Sequence, residues 1–60
     1  MTRGTWINQC AQRLISMYGY GRKDAEHMAE VLAAEQADRC GDGPWVPAFA
    51  VADECGRDGE

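Results

Sequence analysis

The sequence predicts an all-α fold: an antiparallel helical hairpin over about residues 5–18 and 22–39, followed by a short third helix over about 47–55. Three observations predict it. Apolar and polar residues separate cleanly at helical spacing in the first segment. The second, AEHMAEVLAAEQAD, is dense in strong helix formers. The breaks between segments fall at Gly-Tyr-Gly and Cys-Gly-Asp-Gly-Pro, which carry the residues that end helices and make turns.

The first helix is expected from about Thr5, a good N-cap residue, to Tyr18. At about 100° per residue, Ile7, Ala11, Leu14 and Tyr18 fall within about 60° of one another. Trp6, Cys10, Ile15 and Met17 widen that arc to half the helix, and Asn8, Gln9, Gln12, Arg13 and Ser16 fill the other half. One helix cannot cover so wide a stripe, so burial against two neighbours or against another chain is expected. Gly19 ends the helix, since glycine reaches the left-handed region without steric cost. Gly19-Tyr20-Gly21 is read as a turn and not as a phosphate cradle, having no preceding strand and none of the Walker pattern.

The second helix is expected over about 22–39, with Asp24 favourably placed near the positive end of its dipole. Ala25, Met28, Val31 and Leu32 make its expected core face, with Ala29 and Gln36 at the edge. The short connection folds it back antiparallel on the first helix, with Ile7, Leu14, Met28 and Leu32 in one core. Glu26, Glu30, Ala33, Ala34 and Ala37 are assigned to the outer face, a flat acidic strip that another surface could approach. Glu35, near the middle of the apolar face, is given a structural role, capping the first helix or pairing with Arg3.

Residues 40–44 form a loop, and Pro-Trp-Val-Pro that follows is extended, because the residue before a proline avoids the helical region. Pro47 suits the first position of the third helix, whose Phe49, Val51 and Ala52 turn inward. Gly56 is expected to end it, leaving 56–60 as a disordered tail.

Charge is distributed unevenly. Residues 1–23 carry four cations and no acid, and residues 24–60 carry all ten acids against Arg39 and Arg57, for a net charge of −4. Such a field sets partner preference and encounter rate. It favours basic protein surfaces and disfavours nucleic acid and membranes. No run of about 18 apolar residues occurs, so no membrane-spanning helix is expected. The opening segment lacks the apolar core of a secretory signal, which points to the cytoplasm. Sixty residues make a single domain, with a net stability of roughly 3–5 kcal/mol. A helical chain this short rarely encloses the pocket of about 300 Å3 or more that many enzymes need, so no enzymatic activity and no cofactor are expected.

Cys10, Cys40 and Cys55 contain no CxxC pair and are odd in number, the pattern of reduced thiols in a reducing compartment. With His27 they could formally make a Cys3His zinc site, but structural zinc ligands come in close pairs. Asp24-Ala-Glu-His27 has the carboxylate-x-x-His spacing of di-iron bundles, which also needs a second copy and two inward glutamates. A metal site is therefore the least favoured reading, and His27 is placed at the surface. Ser16 has no base in reach, and four cations are too few for direct nucleic-acid binding.

The run WINQCAQRLISMYGYGRKDAEHMAEVLAAEQAD, the Gly/Asp turn, PW and the AVADE segment together resemble small acidic helical proteins encoded by bacteriophages and prophages. That resemblance implies an inhibitor of host defence, of the anti-CRISPR type, acting in the host cytoplasm on a CRISPR effector or another ribonucleoprotein complex. It assigns no functional residue. The leading expectation is thus a non-enzymatic, acidic protein-binding module that mimics nucleic acid on a basic surface. Its partner-binding residues are expected to be Glu26, Glu30, Asp38 and Asp42, with Trp6 and Tyr20 at an apolar rim. The alternatives are a helical homodimer or subunit of a larger assembly, and a small metal-binding protein. Trp45 is expected to pack intramolecularly and Trp6 to lie at the domain edge.

Overall fold

The computed structural model describes residues 2–58, the side chain of Asp58 excepted. Three helices follow one another: α1 (Arg3–Tyr18), α2 (Arg22–Cys40) and α3 (Ala48–Asp58). α1 is the centre of the molecule. It packs against α2 on one side and α3 on the other, while α2 and α3 barely meet. The broad apolar stripe of α1 is thereby used by two helices.

α1 begins earlier than its sequence suggests. Thr2 is the N-cap: its Oγ1 accepts the Thr5 amide at 3.3 Å and lies 2.9 Å from the Thr5 hydroxyl. Thr5 belongs to the first turn. The other end follows expectation, with Gly19 at φ +70° and the Tyr20 amide donating back to the Leu14 carbonyl at 3.2 Å. This is the left-handed termination that glycine favours.

The core departs from expectation on α2. Ala25, Ala29 and Ala33 are completely buried, and Gln36 is nearly so. Met28 and Leu32 are only half-buried, and Val31 is 43% exposed. The buried stripe is rotated by roughly 100° from the centre of the Met28–Val31–Leu32 face, at 100° per residue. Side-chain size explains the rotation. Helix separation depends on the residues at the contact, and an alanine stripe admits the large side chains of α1, among them Trp6 and Leu14, without forcing the helices apart. Ala33 therefore belongs to the core and not to the outer strip, and Ala37 is half-buried.

Trp6 is 1% exposed and is the largest fully buried side chain. The expectation that it lies at the edge is wrong, because the loop from α2 to α3 folds over it. Its Nε1 donates to the Val46 carbonyl at 2.9 Å, and its ring meets Trp45 edge-to-face with centroids 5.4 Å apart, a favoured aromatic geometry. Trp45 packs within the chain, donating from Nε1 to the Gly41 carbonyl at 2.9 Å. The Val46 amide donates to Gln36 Oε1 at 3.1 Å. Gln36 thus ties the loop to α2, the kind of structural role assigned above to Glu35, which is exposed.

α3 starts at Ala48, with the Pro47 carbonyl accepting the amides of Ala50 and Val51. Ala48, Val51 and Ala52 face the core, whereas Phe49 is 57% exposed. Gly56 does not end the helix, which continues to Asp58, so residues 56–58 are not a disordered tail; 59–60 lie outside the described residues. Gly56 is buried beneath Tyr18, and a Cβ there would fall 2.6 Å from the Tyr18 ring. Glycine is present for close helix-to-ring approach.

A polar clamp closes the same α1–α3 contact. Arg13 donates from Nε and Nη2 to Asp53 Oδ1 and Oδ2 at 2.9 and 3.2 Å, and the Tyr18 hydroxyl donates to Oδ1 at 2.9 Å. The Arg13 and Tyr18 hydrogen bonds hold the Asp53 carboxyl below its usual range.

Candidate functional site

The charged surface of α2 is built from positions the core does not use. Glu26, Glu30 and Asp38 stand exposed along the helix, and Asp42 is exposed in the loop that follows. Glu26 has one loose ion pair, its Oε1 lying 3.8 Å from Arg22 Nε across one helical turn. Measured from Ala25 at 100° per residue, Glu26 and Glu30 lie about 100–140° to one side, while Asp24, Glu35 and Asp38 lie about 80–140° to the other. The acids therefore line both flanks of α2 and do not form one strip.

The two aromatic site candidates are not part of that surface. Trp6 is core, and Tyr20 is half-buried against the core cluster. Burial raises the Tyr20 hydroxyl pKa, with Cys55 adding to the effect. Of the apolar rim expected from Trp6, Met17 and Tyr20, Met17 is exposed, Tyr20 is half-buried and Trp6 is withdrawn into the core. The 41–46 loop covers Trp6 and α3 lies against Tyr20 through Cys55, and helical periodicity in α1 alone cannot reveal either.

Among the described residues, a cleft and a groove stand out on the surface. The cleft, of about 470 Å3, opens between the first turn of α1 and the 41–45 loop, against Arg3, Trp6, Ala37 and Trp45. Both of its indole N–H groups are committed to backbone carbonyls, so it offers a ligand apolar surface with Arg3 and Asp42 as charges of opposite sign. The second is a groove of about 510 Å3 between α2 and α3. Leu32, Val46 and Val51 give it apolar walls, and Glu35, Arg39 and Glu54 stand around it. It exists because α1 holds α2 and α3 apart. Sequence reasoning missed it by assigning Leu32 to the core; the signal was present in the alanine spacing at 25, 29 and 33.

The cysteines are three free thiols in different settings. Cys10 is fully buried, and burial, aided by nearby Cys55, pushes its pKa up to about 11. Cys55 is half-buried and Cys40 exposed. Among the described residues no group of three or more His, Cys, Asp or Glu side chains is placed to hold a metal ion, and His27 is exposed on α2. No helix among them is long and apolar enough to cross a membrane.

The site and fold together define a small three-helix domain with exposed carboxylates on both flanks of α2. No protein-family model, curated protein or solved structure matches the chain.

Proposed function

We propose that this chain is a non-enzymatic protein-binding module whose acidic surface docks on a basic surface of another protein, one of the kind that holds nucleic acid. One observation carries the reading. Of the carboxylates with described side chains, only Asp53 is absorbed into the fold; Asp24, Glu26, Glu30, Glu35, Asp38, Asp42 and Glu54 are exposed. Apart from the loose Arg22–Glu26 pair, the fold does not use these charges, so their shared sign acts outward. Carboxylates at i and i+4 on α2 lie about 6 Å apart, near twice the roughly 3.4 Å per-strand phosphate rise, so Lys and Arg side chains that receive a phosphate backbone can receive this helix.

The resemblance to phage accessory proteins favours a host ribonucleoprotein, such as a CRISPR effector, as the target. The test is capture from host lysate, followed by reconstitution with the purified captured protein. Glu26→Lys with Glu30→Lys should weaken binding about tenfold or more, mainly through a slower association rate. Unchanged binding by the double reversal overturns the reading.

A further inference from the structure

We infer that the groove between α2 and α3 seats an amphipathic helix of the partner, one with apolar residues on one face and Lys or Arg along its flanks. This rests on the reading of the chain as a protein-binding module and names the element that it holds.

The shape follows from the fold. Two helices lie on α1 and leave a trough between them, the place a further helix occupies in a bundle. Its α2 wall runs from Leu32 to Arg39, about 10 Å at 1.5 Å per residue, enough for about two turns of a partner helix. The chemistry follows from what α2 buries. Its bulky residues Met28 and Leu32 flank the alanine stripe, packing against the edge of the core and remaining only half-buried. Half-buried Leu32 lines the groove from α2, and Val46 and Val51 line it from the loop and α3. This is the groove type that receives helical anchors at i, i+3 or i+4, and i+7.

Charge selects the occupant. Glu35 and Glu54 border the groove on its two walls. Asp24 and Asp38 extend the same flank of α2 by helical angle, and Arg39 is the only cation among the groove's residues. A second copy would bring like charges together, with one arginine per chain to offset them. A basic helix meets the acids with opposite charge.

The probe is a synthetic 18-residue helix with leucines at i, i+3, i+4 and i+7 and lysines elsewhere. Controls are a scramble of the same composition and the glutamate-for-lysine analogue. Binding is followed by amide chemical shifts of the full chain. The lysine helix should bind with shifts centred on Leu32, Glu35, Val51 and Glu54, and the scramble about tenfold more weakly. Glu35→Lys with Glu54→Lys, both exposed and outside the core, should weaken the lysine helix about tenfold and leave the circular dichroism unchanged.

No binding, equal binding by the scramble, tighter binding of the glutamate analogue, or shifts centred on Glu26 and Glu30 overturns the proposal. So does a dimer at 100 µM by sedimentation that Glu35→Lys with Glu54→Lys alters, since the groove would then hold a second copy. The Glu26/Glu30 reversal of the preceding section is unaffected by these outcomes, so the two readings fail separately.

Discussion

Gly56→Ala gives the sharpest test of how the domain is held together. At an open helical position this change stabilises by up to about 1 kcal/mol, because alanine is the better helix former. Here the new Cβ meets Tyr18 Cγ, Cδ1 and Cδ2 at 2.6–2.7 Å, well inside the roughly 3.5–4.0 Å of a favourable carbon contact. Those atoms are the near end of the ring, so no flexible tip can move aside. Relief needs a shift of about 1 Å, against a ring whose hydroxyl is tied to Asp53 at 2.9 Å. Overpacking of this kind costs about 1–3 kcal/mol, which exceeds the gain in helix propensity and leaves a net loss of about 1–2 kcal/mol. For a domain of this size that lowers Tm by about 5–15 °C. The assay is thermal unfolding followed at 222 nm, run as a double-mutant cycle. In a Tyr18→Ala background the obstacle is gone, and Gly56→Ala should become stabilising. If Gly56→Ala raises Tm in the native background, the helix-to-ring packing is wrong.

Four further outcomes are expected. Leu14→Ala should cost about 2–5 kcal/mol, enough to unfold a domain of roughly 3–5 kcal/mol, whereas half-buried Leu32→Ala should cost clearly less; equal losses in chemical denaturation would contradict the placement of the core. Asp53 has a folded pKa below its unfolded value, so its contribution is present above about pH 4 and is lost as pH falls further through the folded value. Asp53→Asn should therefore flatten the acid limb of a Tm-against-pH curve, and an unchanged limb would refute the clamp. A thiol reagent at pH 8 should label Cys40 fast and Cys10 only on unfolding, and rapid labelling of all three would overturn the assigned burial. Arg13→Glu should lower Tm by placing a second acid against Asp53, contrary to the neutral role that its position on the polar half of α1 suggests; an unchanged Tm would restore that role.

Local signals explain what could be read without coordinates. Helix formers, Gly19 and the Gly/Pro loop place three helices within a few residues of their bounds, because these are effects within one segment. What escaped was relational. Helical angle on α2 placed Ala25 in the core correctly, with Met28, Val31 and Leu32 beside it by hydropathy, but burial was decided by how near a Trp-bearing helix could come, and that selected Ala29 and Ala33 instead. Gly56 looked like a terminator because its partner, Tyr18, is 38 residues away in the chain. Asp53 looked like one more surface acid until Arg13 and Tyr18 converged on it. The exposed acids of α2 were visible from composition, but the groove beside them required knowing which face α1 had taken.

The most direct test of the central claim is the association rate with the captured partner, measured by biolayer interferometry at low and high salt for the native chain and for Glu26→Lys with Glu30→Lys. The account predicts that high salt slows association of the native chain about tenfold or more, and that the double reversal slows it similarly at low salt, with dissociation changed much less. Association indifferent to both salt and reversal would contradict it.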